Sequence, residues 1–268
     1  MKSFIRCVLF FFTLSTSYTT FAQSIFDKAE NWLVDHNAAL SYGPQYSWYK
    51  YSMIRIVQPE FDRDAELMYV QGRQTDNSET IKRGKLSTAQ AKIAINIELS
   101  QKYALQLFNT HLNYEIITEN DYHLRGTWNG DRLAKTIPTS TYINMLEHTN
   151  GLNFWGVGIK RSFHFVENEN FQLSLGLMPN IAGVFTATQA QIYTPTGELA
   201  YYDPGNTIAG AMIAGETSLN ATFYKHWVLG ANFNFFQSYI KEAHLDQQGY
   251  VSQRLRGTHY GMSLGYRL

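Results

Sequence analysis

Two short stretches of the chain hold side chains that could carry out proton transfer. His111, Asn113 and Glu115 occupy every second position, so all three share one face wherever the segment is a β-strand. His148 and Thr149 offer a base and a hydroxyl side by side, although a strand would turn them to opposite faces. Acyl transfer uses a base, a group that orients it and a nucleophile. His111, Glu115, His148 and Thr149 are therefore the candidate catalytic residues.

Metal and thiol chemistry are not expected. The histidines considered as metal ligands, His111, His148 and His259, show neither an HxxxH nor an HxH spacing. The chain has one cysteine, Cys7, too few for a disulfide framework or a cysteine-based zinc site. The sequence predicts no metal site and no cofactor.

The composition excludes several classes of protein. The 268 residues carry 22 basic and 22 acidic side chains, and this balance leaves no electrostatic footprint for nucleic acid. Charged residues make up 16% of the chain, well below the roughly 25% of an ordinary soluble domain. Aromatic residues make up 15%, which argues against disorder, yet the mean hydropathy is −0.28. A chain so rich in Tyr and Phe and still polar on average needs a regular arrangement that separates its aromatic side chains from its polar ones.

The N-terminus predicts export. Lys2 and Arg6 precede an apolar run over residues 7–15, and Thr20-Phe21-Ala22 places small residues where a signal peptidase cleaves. We expect a signal peptide over residues 1–22, and no later segment approaches the 18 apolar residues of a membrane-spanning helix.

A short amphipathic helix is expected next, over residues 24–36. Its apolar side chains, such as Ile25, Trp32 and Leu33, fall on one face. The helix fits either an ordinary terminal helix or a helix that lies on a membrane surface. We assign residues 23–44 to this helix and a lead-in, and residues 45–268 to a β-domain.

From there on, apolar and polar residues alternate with a period of two. The strands predicted from this alternation cover residues 45–58, 91–99, 103–117, 152–163, 171–187, 207–223, 227–241 and 255–268. In residues 103–117 the alternation slips near Leu105, so a bulge is expected there, with Phe108, Leu112 and Tyr114 in the apolar set.

The connections between these strands alternate in length. Short turns fall at 100–102, 167–170 and 224–226, whereas long loops cover 118–150, 188–206 and 242–254. This sorting is typical of a closed antiparallel transmembrane β-barrel, with tight turns on one side of the membrane and long loops on the other. The count predicts eight strands, and two further strands at 37–43 and 64–72 would give ten.

An eight-stranded barrel is nearly filled by its own side chains. Polar residues that alternate with the apolar set are expected to face the lumen and to form an internal network there. Besides the candidate catalytic residues, these are Lys92, Asn96, Glu98, Asn109, Asn113, Glu216, Asn220, Asn232, Asn234, His259 and Arg267.

The chain resembles small Gram-negative outer-membrane β-barrel proteins. The resemblance rests on the signal peptide, the alternating hairpins and the final strand Tyr260-Gly-Met-Ser-Leu-Gly-Tyr-Arg-Leu268. It departs at Leu268, where an aromatic residue is commoner. The resemblance implies an outer-membrane location, the barrel-assembly machinery as a partner, and contact with outer-membrane lipids and lipopolysaccharide.

Three functions stay open at this point. The first is a barrel with a mostly filled polar lumen that acts in envelope structure or binds a surface ligand through its loops. The second is a lipid A acyl hydrolase or acyltransferase, enzymes that share this architecture and, for the acyltransferases, an N-terminal amphipathic helix. The third is a narrow diffusion channel, which a larger strand number would favour. Substrate and oligomeric state are not encoded in any recognisable motif.

Overall fold

A computed structural model describes residues 28–73, 90–203, 207–246 and 249–268. The expected signal peptide over residues 1–22 and the start of the amphipathic helix lie outside these ranges. The described part of that helix covers residues 28–35. Within the described ranges no helix has the length and apolar character needed to cross a membrane.

Strands make up most of the fold. In chain order they are β1 Ala39–Tyr49, β2 Ser52–Gln58, β3 Arg63–Val70, β4 Gly72–Arg73, β5 Ala91–Glu98, β6 Tyr103–Ile116, β7 Asp121–Trp128, β8 Asp131–Pro138, β9 Ile143–Glu167, β10 Phe171–Tyr193, β11 Leu199–Tyr202, β12 Thr207–Phe223, β13 Trp227–Asp246 and β14 Gly249–Arg267. Two single 3₁₀ turns, Pro59–Phe61 and Thr139–Thr141, join β2 to β3 and β8 to β9.

Eight of the strands form a closed ring, which confirms the fold class. The ring runs β1-β5-β6-β9-β10-β12-β13-β14, and β14 pairs with β1 to close it. All these pairings are antiparallel. The alternative of ten strands is wrong because residues 37–43 run into β1 and residues 64–72 contribute to β3, which lies outside the ring.

The two ends of the barrel differ. One end, called the turn end here, carries the short connections 99–102, 168–170 and 224–226 together with helix 28–35 and the C-terminus. At the other end, β2, β3, β7 and β8 continue the sheet sideways from β14. We call these four strands, with the far ends of the long strands β9, β10, β13 and β14, the extension.

The first strand and the long loops were predicted wrongly. Residues 45–58 are not one strand, because the chain leaves the ring at residues 50–51 and starts β2 in the extension. The expected loop 118–150 contains β7 and β8, and the expected loop 242–254 is mostly a continuation of β13 and β14. These segments are paired because their apolar side chains have a core of their own to enter.

The outer wall of the ring is apolar over a band that fits a membrane. Large side chains such as Ile181, Leu229, Phe233 and Met262 are more than half exposed on it. Such a continuous exposed apolar surface is stable only when lipid covers it, and a closed ring leaves no unpaired strand edge in the lipid. The barrel therefore spans a membrane.

Aromatic rings mark both edges of this band. Near the turn end, Phe171 lies 5.3 Å from Phe223 and Trp227 lies 5.2 Å from Tyr266, measured between ring centroids. Towards the extension, Trp48 is 72% and Tyr239 48% exposed on the outer wall. Rings of this kind prefer the headgroup level on each side of a bilayer.

The extension has its own hydrophobic core around a buried arginine. Ile54, Leu67, Leu124 and Trp128 belong to one buried cluster that joins β2, β3 and β7 to the far ends of the long strands. Arg63 is 2% exposed, and its guanidinium lies 4.5 Å from the Trp128 ring centroid. Its Nη1 donates to Gln58 Oε1 at 2.9 Å, its Nη2 donates to the backbone carbonyl of Tyr193, and burial lowers its pKa to about 10. Arg63 thus holds the sheet of the extension against the end of β10.

Candidate functional site

An ion pair crosses the whole width of the lumen near its middle. Lys92 on β5 and Glu216 on β12 lie on opposite sides of the ring, four strands apart in either direction. The Lys92 Nζ atom lies 2.5 Å from Glu216 Oε2, and both side chains are almost fully buried. A direct contact across the diameter leaves no continuous passage at this level.

A layer of apolar side chains lies next to this ion pair on the extension side. Phe154 of β9 and Phe236 of β13 are fully buried, and their ring centroids are 5.7 Å apart. Phe108, Met212 and Leu152 belong to the same buried cluster. Because these residues come from strands all round the ring, the cluster fills the lumen as a plug.

A chain of buried hydrogen bonds forms a third crossing. His148 Nε2 lies 2.6 Å from Gln253 Oε1 on the opposite strand β14, and His148 Nδ1 lies 3.2 Å from Thr188 Oγ1. Gln253 Nε2 donates to Ser52 Oγ at 3.2 Å, and Ser52 Oγ lies 3.3 Å from Tyr114 OH. Since the Gln253 oxygen accepts, the His148 ring carries its proton on Nε2 and accepts from Thr188 on Nδ1. The network is neutral, and every member has a partner.

This third crossing lies beyond the membrane. His148 is nineteen residues from the end of β9 at Glu167, which on a tilted strand is roughly 45–50 Å, against an apolar band of about 25 Å. Burial lowers the pKa of His148 to about 4, and its hydrogen bond to Gln253 opposes that shift only in part.

The half of the lumen next to the turn end is polar and holds a cavity. The cavity has a volume of about 100 Å³, which is room for several water molecules. Arg267 Nη2 bonds Glu98 Oε1 at 3.2 Å on its wall, and Gln106 donates to Asn96 Oδ1 at 2.7 Å. Lys160, which the sequence analysis did not single out, also lines it. The cavity thus has room for water beside the Arg267–Glu98 ion pair and Lys160.

The remaining lumen candidates divide between two levels. Asn220 and Asn232 line the cavity, and Asn220 Nδ2 donates to Ser218 Oγ at 3.1 Å. Asn234 and His259 face each other across the β13–β14 pairing and are 2% and 1% exposed. Neither ring nitrogen of His259 has a hydrogen-bond partner among the described residues.

The lumen-facing and outward-facing sides of strand β6 are the reverse of those predicted. Lys92 is paired with Thr110, so Thr110 and its alternate neighbours Phe108 and Leu112 face the lumen. Asn109 is paired with the outward-facing Trp155 and lies on the outer wall. Asn113 lies between two inward-facing residues at a register shift, and its backbone carbonyl accepts a bond from Gln90 Nε2 at 3.2 Å. The prediction of Asn109 as a lumen residue is wrong, because an apolar plug makes the inner face of β6 as apolar as the outer one.

The candidate catalytic residues do not come together. His111 and Glu115 lie on the outer wall, where His111 Nδ1 lies within hydrogen-bond distance of Asn153 Oδ1 at 2.8 Å. Glu115 accepts two hydrogen bonds from Arg73, at 2.9 and 3.1 Å. His148 faces inward on the neighbouring strand.

Thr149 follows His148 in β9 and is paired with Ala187, and its side chain lies outside the described residues. The hydroxyl beside the imidazole of His148 is instead that of Thr188, which is fully buried and so closed to a substrate. Among the described residues no cluster of three potential ligands could hold a metal ion.

A cleft opens on the surface of the extension. It has a volume of about 750 Å³ and is lined by Tyr51, Tyr69, Gln71, Asn120 and Asp121, among others. Tyr51 and Tyr69 are both exposed, and their rings meet edge to face at 6.4 Å. Gln71 is held by bonds to Tyr51 OH at 3.2 Å and from Asn120 Nδ2 at 2.9 Å. Tyr69 has a positive φ of 60°, a conformation that non-glycine residues adopt at a cost and that is often found at functional sites.

No sequence signal predicted this cleft or the partners of His148. Tyr51 lies inside the single strand predicted over residues 45–58, and Tyr69 and Gln71 lie in residues 64–72, which were considered only as a further barrel strand. Thr188 and Gln253 come from β10 and β14, and only the register of the closed ring brings them to His148.

Comparison with known proteins finds outer-membrane proteins among similar structures. OprG from Pseudomonas aeruginosa gives a TM-score of 0.43 and 11% sequence identity over 87% of this chain and 96% of that protein. The outer membrane protease OmpT from Escherichia coli gives 0.43 and 10% over 86% and 96%. AlkL, solved in lipid bilayers, gives 0.39 and 9% over 86% and 89%. No family model and no curated protein matches the chain. These likenesses are too distant to transfer an activity.

Proposed function

We propose that this chain is an outer-membrane barrel with a closed lumen, and that it acts through its extension in envelope structure or in the binding of a surface ligand. The observation that carries the proposal is the set of three crossings of the lumen. The Lys92–Glu216 ion pair, the Phe154–Phe236 contact and the His148–Gln253 bond each join opposite or nearly opposite strands. A solute would have to break all three to pass.

The extension is the part of the fold with features that a closed barrel does not need for its own stability. Its buried cluster makes it a folded unit, and the cleft beside Tyr51 and Tyr69 presents aromatic faces and fixed amide groups to solvent. Concave surfaces with aromatic walls and a few oriented polar groups are typical of ligand sites. We therefore propose this cleft as the contact surface for a ligand.

Conductance tests the closed lumen. The protein refolded into planar lipid bilayers is expected to show no current steps, because the three crossings persist in the resting state. Folding is checked on the same sample by the heat-dependent shift in gel mobility that closed barrels show. Discrete steps from folded protein would identify a channel and refute the proposal.

Surface labelling tests the location and orientation. The only cysteine of the chain is Cys7, in the expected signal peptide, so single cysteines can be placed at will. Lys135 in β8 and Lys225 in a short turn are both exposed. Intact cells treated with a membrane-impermeant maleimide are expected to label Lys135→Cys and not Lys225→Cys, whereas lysed cells label both. The reverse pattern, or equal labelling in intact cells, would contradict the proposed orientation.

A further inference from the structure

Three cations lie together just above the apolar band, on one side of the barrel. Arg254 and Arg256 are alternate residues of β14 and share its outer face. Lys50 follows β1, and its backbone N–H donates to the Arg256 carbonyl at 2.9 Å. All three side chains are exposed. We call this group the basic patch.

The height of the basic patch follows from the strand itself. The outer face of β14 reads Tyr266, Leu264, Met262 and Tyr260 before it reaches the patch. Arg256 is ten residues from Tyr266, which is about 33 Å along the strand and about 25 Å along the membrane normal for the usual tilt. That distance equals the height of the apolar band of a membrane barrel. The patch therefore lies at the level of the lipid headgroups.

Two aromatic rings and one amide group hold the three cations at this level. The Arg254 guanidinium lies 5.8 Å from the Tyr239 ring centroid, and the Lys50 Nζ lies 5.7 Å from the Phe235 ring centroid. Arg256 Nε donates to Gln237 Oε1 at 3.1 Å. These neighbours are neutral.

The carboxylates whose side chains are described lie elsewhere on the wall. Among the described side chains, none forms a salt bridge with the basic patch, whereas Arg55 is paired with Asp64 at 2.7 Å. On the opposite side of the ring, Glu115 and Glu147 face each other on β6 and β9. Burial and the nearby Glu115 raise the pKa of Glu147. The basic patch therefore lies at the headgroup level on the β14 side, whereas Glu115 and Glu147 lie beyond the membrane on the opposite side.

We propose that the basic patch binds the phosphate groups of an anionic lipid of the surrounding leaflet. Guanidinium groups match phosphate oxygens in a two-pronged geometry, and the aromatic rings below supply the apolar contact for the acyl chains. The inference rests on the proposed location in the outer membrane with the extension facing outward, since the patch then meets the leaflet that contains lipid A.

Lipid binding to the full-length protein tests this inference. The protein is placed in phosphatidylcholine vesicles that contain either bisphosphorylated lipid A or the same lipid with its phosphates removed, and retained lipid is counted by native mass spectrometry. Tight retention of the phosphorylated lipid only is expected, with an affinity that falls as salt is raised. Equal retention of both lipids would overturn the inference.

Matched variants locate the site. Arg254→Gln with Arg256→Gln is expected to weaken binding about 25-fold, since each cation near a charged lipid surface is worth about a factor of five. The control is Arg132→Gln with Lys135→Gln, which removes the same charge from the exposed strand β8 and is expected to leave binding within about twofold. Arg254→Lys with Arg256→Lys keeps the charge but loses the two-pronged geometry, so its affinity is expected to lie between those of the glutamine pair and the unchanged protein.

Equal losses in the two glutamine pairs would show a nonspecific charge effect and refute the patch. The outcomes separate this inference from the proposed function. If the folded barrel shows no current in bilayers and labels at Lys135→Cys but retains both lipids equally, the proposed function stands and the basic patch is refuted.

Discussion

The ion pair at the centre of the lumen makes a sharp prediction about stability. Glu216 is 4% exposed and neutralises Lys92 at 2.5 Å, and it also interacts electrostatically with Lys160. Glu216→Gln keeps the shape of the side chain but leaves two ammonium groups in the lumen without their carboxylate. Breaking a buried ion pair by removing one partner costs about 3–5 kcal/mol, and we expect this variant at the upper end.

Removing the lysine of the ion pair should lower the free energy of unfolding less than removing the glutamate does. Lys92→Met removes one ammonium, and Lys160 remains to neutralise Glu216. We expect a loss of about 3 kcal/mol, at the lower end of the range for a broken buried pair. Lys92→Met combined with Glu216→Gln should be more stable than Glu216→Gln alone, because it removes one of the ammonium groups that Glu216→Gln leaves unpaired.

Equilibrium unfolding in urea from lipid vesicles, followed by tryptophan fluorescence, measures these differences. Glu60→Gln, at an exposed position of the extension, is the control and should change the free energy of unfolding by less than about 0.5 kcal/mol. The reasoning is refuted if Glu216→Gln costs no more than Lys92→Met, or if the double variant is less stable than Glu216→Gln.

Three further predictions concern the plug, the polar network and the packing of the wall. Phe154→Ala should cost about 3–5 kcal/mol in the same unfolding assay because it leaves a cavity in the plug, and a loss below about 1 kcal/mol would show that Phe154 does not pack there. Burial lowers the pKa of His148 to about 4, so the folded state holds a neutral ring. The free energy of unfolding is therefore full above about pH 6.5 and falls by about 3 kcal/mol towards pH 4. His148→Gln should remove that part of the pH dependence, and an unchanged pH profile would contradict a buried neutral histidine. Gly43→Ala would place a methyl group 1.7 Å from the backbone oxygen of Met262 and should cost about 1–3 kcal/mol, whereas Gly215→Ala meets nothing within 4 Å and should be nearly neutral; equal effects on gel-shift melting would mean that the register of β1 on β14 is not as described.

Alternation was enough to predict the ring but not the extension. Strands such as β13 have one apolar and one polar face, with Leu229 and Phe233 towards lipid and Asn232 between them. Alternation with a period of two therefore predicts these strands directly. In β6 and in the extension both faces meet apolar neighbours, and alternation carries no information about which way a side chain points. The crossing at His148 depends on pairing between strands far apart in the chain, which local pattern cannot supply.

The position of β14 in the sheet has a consequence for the timing of assembly. This last strand pairs with β1, with β13 and with β2, and the bond between Gln253 and Ser52 joins residues 201 positions apart. Contacts of such long sequence separation form late and make folding slow. The extension grows from the edge of the strand that closes the ring, so its sheet cannot be completed before the C-terminal strand has arrived. The folded extension is therefore a product of completed closure, and a cell would display it only on barrels that have finished assembling.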